Sequence, residues 1–547
     1  MKTELKSPLE MLYKWENETP NKVFLRQPEN LAWHEYTWAD VSDSVRRIAS
    51  FLLSKNFKEG SRIGIWSSNS KDWPIVDLAI MLSGHISVPI YPGQDADSAS
   101  YILKHSDTKL VFVGGVDRTS EVTNAVPDNV ATVSMLGCEL DCETSLINIQ
   151  SDYDAFKESP IPQQDQLFTL VYTSGTTGNP KGVMHNYATP SHVLPSLINS
   201  LKGIGVKNGT STEDRMFSFL PMSHIAERVM VEYFALYTNS SISFSQGLAT
   251  FADELRSVQP TIFFAVPRLW LKFKQGVEAN LPPQIRDNLT DEQKQQLVHQ
   301  LGLSNARLVI TGSAPCPSDI QKWFLDKGVI LREAYGATEN FIHGCSWIKD
   351  DLPHSGCVGQ PMDNSVEVRL SSDDEIQFKS KGLMQGYYLE PEKTAEVFDD
   401  GWYCSGDSGR FDDDGNLWIT GRISDVFKTS KGKFVVPTSL EDKFARTNLL
   451  AQLCILGHGL DSPLLIASLS EVGQALDTEQ RESELDALLN TVNQELASHE
   501  KVSSIFITPE WTTESGLLTP TLKIKRKKIE ERYRDEAIAF EAKACVN

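Results

Sequence analysis

Residues 173–182, TSGTTGNPKG, gather three glycines, four hydroxyl side chains and one lysine, directly after the apolar run LFTLVY. A glycine-rich turn behind a strand lets backbone N–H groups converge on a small anion, while hydroxyls add donors and a lysine adds a point charge. Polyphosphate suits that chemistry. The order is not the G-x-x-x-x-G-K-[ST] loop of kinases and GTPases, because Pro180 precedes Lys181 and Gly182 follows it. A dinucleotide G-x-G-x-x-G is also missing, since GIGVKNG at 203–209 is one residue out of register. On composition alone, an ordinary Gly-Ser-Thr turn stands as the alternative.

The order of the residues separates these readings. T-S-G-T-T-G-x-P-K-G resembles the signature loop of the adenylate-forming superfamily, which includes acyl-CoA synthetases, firefly luciferases and the adenylation domains of peptide synthetases. Further motifs similar to that superfamily's follow in order: LPMSHIAER (220–228), VPRLWLK (266–272), TGSAP (311–315) and EAYGATEN (333–340). GWYCSGDSGRF (401–411), GRISDVFKTSKGKFVVP (421–437) and LTPTLKIKR (518–526) complete the series. The resemblance covers essentially the whole chain. LGLSNARLVITGSAPCPSDI and VPRLWLK look most like the long-chain and bubblegum-type acyl-CoA synthetases.

What the resemblance implies is attack of a carboxylate on the α-phosphorus of ATP, where charge spreads over phosphoryl oxygens and catalysis is mainly positioning and electrostatics. It implies that Thr173, Ser174, Gly175, Thr176, Thr177, Gly178 and Lys181 cradle the β- and γ-phosphates. Glu339 matches the carboxylate for Mg2+, with Thr173 and Thr338 as hydroxyl partners. Tyr335 matches the aromatic that lies against adenine, with Gly336 next to it; Gly312, Ser313 and Ala314 match the backbone strip on the base's other side. Asp407, in SGDSG, matches the carboxylate that accepts both ribose hydroxyls, and Arg422 the residue beside the ribose and α-phosphate. Without the motifs, Glu339 reads as a helix cap, Tyr335 as core and the last two as a surface ion pair.

Lys523 matches the lysine that touches both the attacking carboxylate and the α-phosphate, whereas Lys525, Arg526, Lys527 and Lys528 read as a solvated basic helix start. His224 resembles the gate between nucleotide and thiol tunnel, a positional role rather than a general base. For the second half-reaction the resemblance implies rotation of a C-terminal domain that presents the SKGKF turn. Gly432 fits a tight turn beside a pantetheine arm, and Lys428 is a candidate phosphate contact. The pivot in relatives is often Asp or Lys; here it is Ser424.

The implied activity is ligation of a medium- or long-chain fatty acid to CoA through an acyl-adenylate, using ATP, Mg2+ and CoA. A fatty acyl-AMP ligase that loads a carrier protein is the enzyme alternative, although no obvious insertion of the kind such relatives carry is present. A nucleotide-binding protein without turnover is the alternative from another class, and retention of Glu339 and Lys523 speaks against it.

Such residues need a scaffold, and the rest of the chain supplies one. Helical spacing over 36–56 and β-branched runs at SRIGIWSS, KLVFVGG, SISFSQ, TIFFAV and ARLVITG alternate as α/β layers do. From about 360 the texture turns to short strands, with an Asp-Gly hairpin signal in GRFDDDGNLWITGR and no calcium-loop spacing in its acidic triplet. The expected fold is α/β: a large N-terminal AMP-binding domain over 1–422, of layered α/β subdomains plus a β-rich subdomain, and a small mobile α+β domain over 425–547. The polar stretch 157–166 is expected to join two subdomains.

Fifty-two basic against 73 acidic residues give a net charge of −21, which works against broad contact with nucleic acid. Eight scattered cysteines with no C-x-x-C pair are expected to be reduced thiols, and MKTELKSPLEML carries no secretory pattern. A cytoplasmic protein is expected, with peripheral membrane contact and monomer or homodimer left open. The apolar stretch 73–92 reads as a buried helix followed by a strand.

Overall fold

The alternating segments fold as α/β layers. At the start of the helix Trp38–Ser54, the Thr37 hydroxyl accepts from the Asp40 N–H and the Asp40 carboxylate accepts from the Thr37 N–H. Buried Trp38, Val41, Val45, Ile48 and Leu52 then recur at three and four residues, one stripe facing the core. The helix Asp72–Leu82 is buried on every side, and the strand Ile86–Ile90 follows it. The stretch 73–92 is thus a core helix and strand, and no helix among the described residues is long and apolar enough to cross a membrane.

This computed structural model describes residues 6–30, 32–173, 179–201, 211, 213–286, 288–347, 356–513, 515–519 and 523–544. The chain forms two compact units, Met1–Val368 with Phe378–Tyr403, and Arg369–Gln377 with Cys404–Asn547. The first is built on a seven-stranded sheet in the order Thr144–Ser145, Ala131–Ser134, Thr108–Val113, Arg62–Trp66, Ile86–Ile90, Leu167–Thr173 and Lys181–Asn186. Every neighbouring pair is parallel except the last. A four-stranded sheet orders Arg215–Ser218, Ser241–Phe244, Val23–Glu29 and Ala32–Thr37. Three further parallel strands, Ile262–Ala265, Leu308–Gly312 and Leu331–Tyr335, lie side by side.

The polar stretch 157–166, expected from its composition to join two subdomains, instead returns the chain to the same sheet, because Leu167–Thr173 pairs beside Ile86–Ile90. Its backbone is strapped to neighbouring helices: Arg46 Nη1 donates to the Glu158 carbonyl and to that of Phe156 just before the stretch, and the Tyr13 hydroxyl donates to that of Pro160.

In the second unit, strands Leu450–Leu456 and Leu464–Leu469 pair antiparallel and Ile505–Thr508 joins parallel, with the helix Thr478–Gln494 on their apolar core. The Asp412 carboxylate accepts from Asn416 and Trp418 side chains and from the N–H groups of Asp414 and Asn416, closing the hairpin turn. Lys527 and Lys528 are exposed, as expected of a basic helix start. Arg526 is a correction. It turns inward, forks onto both Glu441 oxygens at 2.6 and 2.9 Å, and donates to the Ile455 carbonyl, so it pins the helix Arg526–Ala544 to the sheet.

Candidate active site

The loop of 173–182 leaves the strand Leu167–Thr173 and returns on Lys181–Asn186, with Thr173 opposite Lys181 in the antiparallel register. Ser174, Gly175, Thr176, Thr177 and Gly178 lie outside the described residues. The Lys181 ammonium stands 4.3 Å from the ring centroid of Tyr387. Along the returning strand, Lys181, Val183 and His185 share a face by the period of two. His185 is buried, and burial pushes its ring down to about pKa 4, so it is neutral near pH 7. Its Nε2 donates to the Thr338 carbonyl at 2.8 Å.

Thr338 and Glu339 stand in the short turn Thr338–Asn340 that follows the strand Leu331–Tyr335. The chain doubles back sharply there. A Cβ on Gly336 would meet the Ile342 backbone at 2.7 Å, and Phe341 and Ile342 both hold φ near 54°. Only glycine fits at 336. The doubling turns Glu339 toward the loop strand, where its Oε1 accepts from the Tyr387 hydroxyl at 2.8 Å. Thr338 is buried and Glu339 half-buried.

Gly312, Ser313, Tyr335 and Gly336 line one pocket. Leu197, Leu201, Met230, Phe264, Leu308 and Ile310 make most of its wall apolar. A Cβ on Gly312 would meet the Ala334 carbonyl of the neighbouring strand at 2.7 Å, which favours glycine there. Ala314 follows at an exposed position. The Tyr335 ring packs 5.6 Å from that of Phe378.

Part of the wall is a helix that begins at Ile225–Glu227, widens through a π-type turn over Arg228–Tyr233 and ends at Phe234–Thr238. His224 caps its start: Nδ1 accepts from the Ala226 N–H at 3.1 Å, which leaves the ring proton on Nε2. Arg228 anchors the helix from below, donating to Asp77 at 2.7 Å and Thr169 at 2.8 Å. Both members of the Arg228–Asp77 pair are fully buried.

In the second unit, Asp407 lies opposite Arg422 in the hairpin, and Arg422 Nη1 meets Asp407 Oδ1 at 2.7 Å. Lys428 and Gly432 flank one small turn, closed by the Gly432 N–H on the Thr429 carbonyl, with Gly432 at φ 75°. The Lys428 ammonium lies 5.4 Å from the Phe434 ring centroid. Lys523 is exposed, and its N–H donates to Thr519 Oγ1.

Tyr387 and His185, which hold Glu339 and Thr338, stand outside the motifs. The period-two face running from Lys181 to His185 was the available signal for the latter; Tyr387, in GYY, carries no spacing that separates it from core.

Among the described residues, Lys181 and Glu339 thus meet on one side chain, Tyr387, while Gly312, Ser313, Tyr335 and Gly336 share one pocket. The chain belongs to the AMP-binding enzyme family, whose model matches residues 12–388, and the model of the AMP-binding enzyme C-terminal domain matches 424–542. The long-chain-fatty-acid–CoA ligase FadD15 of Mycobacterium tuberculosis is 25% identical over 590 residues, covering 97% of this chain and 96% of its own. Long-chain-fatty-acid–CoA ligase 5 of Rattus norvegicus is 27% identical, covering 93% of this chain and 84% of its own. Among solved structures, ATP-bound MatB from Rhodopseudomonas palustris has a TM-score of 0.79 at 20% identity, over 97% of this chain and 99% of that one. The anthranilate CoA ligase AuaEII in complex with anthranoyl-AMP reaches 0.78 at 19%, over 97% of each chain. These two are likenesses of fold.

Proposed function

We infer that this protein is an AMP-forming fatty acid–CoA ligase, which joins a medium- or long-chain fatty acid to ATP as an acyl-adenylate and then passes the acyl group to CoA, releasing AMP and pyrophosphate. The observation that carries this reading is the apolar cavity opening at Gly312, Ser313, Tyr335 and Gly336. Its walls suit an alkyl chain, because each buried methylene gains about 0.8 kcal/mol. Relatives named as long-chain fatty acid–CoA ligases support the same acid class.

In the first half-reaction the loop and Lys181 bind the β- and γ-phosphates, Tyr335 and the 312–314 strip hold adenine, and Asp407 accepts the ribose hydroxyls. Lys523 bridges the carboxylate and the α-phosphate and reduces their repulsion. Mg2+ fits the donors present: Glu339 supplies one carboxylate and Thr173 and Thr338 hydroxyls, and such an ion is commonly completed by phosphate oxygens and water. When bound, it neutralises charge on the phosphate oxygens. Neutral His224 keeps the start of the cavity helix in place and acts as a gate.

The domain over 425–547 pivots at Ser424 in this reading, so Lys523 serves adenylation and the turn bearing Lys428 and Gly432 serves thioester formation. Purified protein given ATP, Mg2+, CoA and a panel of acids is expected to yield AMP and acyl-CoA. AMP without thioester would overturn the CoA step, and transfer to a holo carrier protein but not to CoA would put the carrier-loading ligase in its place.

A further inference from the structure

One side chain touches both charged groups of the loop-and-turn site. Tyr387 belongs to a segment that runs antiparallel along the strand Lys181–Asn186. The Met184 N–H donates to the Gly386 carbonyl, the Gln385 N–H to that of Met184 and the Tyr388 N–H to that of Gly182, at 2.8 to 3.0 Å. Three residues before Tyr387, the Met384 N–H donates to the Glu339 carbonyl at 2.7 Å. The phenol is therefore held from both sides by backbone, and the residue is only 3% exposed.

From that seat the ring lies under the Lys181 ammonium at 4.3 Å, and the hydroxyl donates to Glu339 Oε1 at 2.8 Å. Lys181 and Glu339 carry opposite charge and both meet Tyr387, yet they form no ion pair with each other among the described residues. An aromatic face attracts an ammonium without neutralising it, and a phenol that donates to one carboxylate oxygen leaves the other lone pairs of the group for a cation.

We propose that Tyr387 is the positioning residue of the nucleotide site, a spacer that keeps Lys181 and Glu339 apart and aimed, the ring serving the lysine arm and the hydroxyl the metal arm. The proposal rests on the ATP-dependent reading above and adds a division of labour within one side chain. Groups that orient a metal carboxylate commonly alter metal affinity by about tenfold or more when removed.

The test uses the full chain and two variants. Mn2+ serves as the metal probe, followed by its free-ion paramagnetic resonance signal in the presence of ATP, and metal-free ATP binding is followed separately by calorimetry. Tyr387→Phe is expected to weaken Mn2+ binding by about tenfold while leaving metal-free ATP affinity unchanged. Tyr387→Leu is expected to weaken both. In turnover, the Phe variant should need more Mg2+ with the KM for the fatty acid unmoved. A Phe variant with wild-type Mn2+ affinity, or one whose ATP and metal affinities fall together, overturns the proposal. If the Leu variant does not fold, the Phe variant decides alone. Wild-type protein that binds neither ATP nor Mn2+–ATP would overturn the ATP-dependent reading and this proposal together, whereas a failure confined to the variants overturns only the spacer.

Discussion

Lys523 is tied to Thr519 by reciprocal bonds, its N–H on Thr519 Oγ1 and its carbonyl accepting from the Thr519 N–H. An exposed lysine so presented is costly to lose only if it meets reactants. Lys523→Ala is expected to slow ATP–pyrophosphate exchange by about 100-fold or more, while thioester formation from a supplied acyl-adenylate stays near the wild-type rate. Exchange at the wild-type rate would remove Lys523 from adenylation. At this scale the sequence singles out residues where chemistry imposes order, as with Lys181 and Glu339, and is silent where it does not. Tyr387 reaches Glu339 across 48 residues, and nothing in the sequence around it separates it from a core aromatic. Arg526 failed differently: its neighbours set an expectation of solvent, and only Glu441, brought up by folding, turns it inward.

The helix that starts at His224 positions one wall of the cavity, and its ties are buried. Burial pushes the Glu227 carboxyl up to about 8, against the lowering effect of hydrogen bonds from Ser218 Oγ and the Phe219 N–H. The unfolded chain releases that proton near the ordinary value of 4.5, so between about pH 4.5 and about pH 8 the folded state holds the extra proton. Stability from this group is therefore full at low pH and is lost as pH rises through that window. Glu227→Gln keeps an acceptor for both donors and is expected to flatten the fall of urea midpoints between about pH 5.5 and about pH 8. An unchanged slope would mean that Glu227 is ionised in the folded protein. The run of apolar residues made the helix Asp72–Leu82 legible as a buried one, but it gave no sign that Asp77 within it would be met by the buried Arg228. Periodicity could not show that 157–166 rejoins the same sheet, since strand order depends on which edge remains open.

Across the whole molecule, a charge of −21 faces a polyanionic nucleotide. The resulting long-range repulsion is felt over about 30 Å at 0.01 M ionic strength and about 8 Å at 0.15 M. The kcat/KM for ATP is expected to rise by about two- to fivefold between those conditions. A fall would mean that the local field around Lys181 outweighs the overall charge. The same scale gives a second meaning to the 384–388 segment. Lys181–Asn186 ends the seven-stranded sheet, and 384–388 occupies the outer side of that last strand through its backbone. An uncovered strand edge recruits strands from other molecules. Gln385 is exposed and supplies one of the covering N–H groups, so Gln385→Pro would remove the donor with little change to the core. Light scattering is expected to report self-association of that variant, and a persistently monodisperse variant would show that the cover is dispensable. On that expectation, the backbone bonds that seat Tyr387 beside Lys181 are the same ones that close the last strand of the sheet to other molecules.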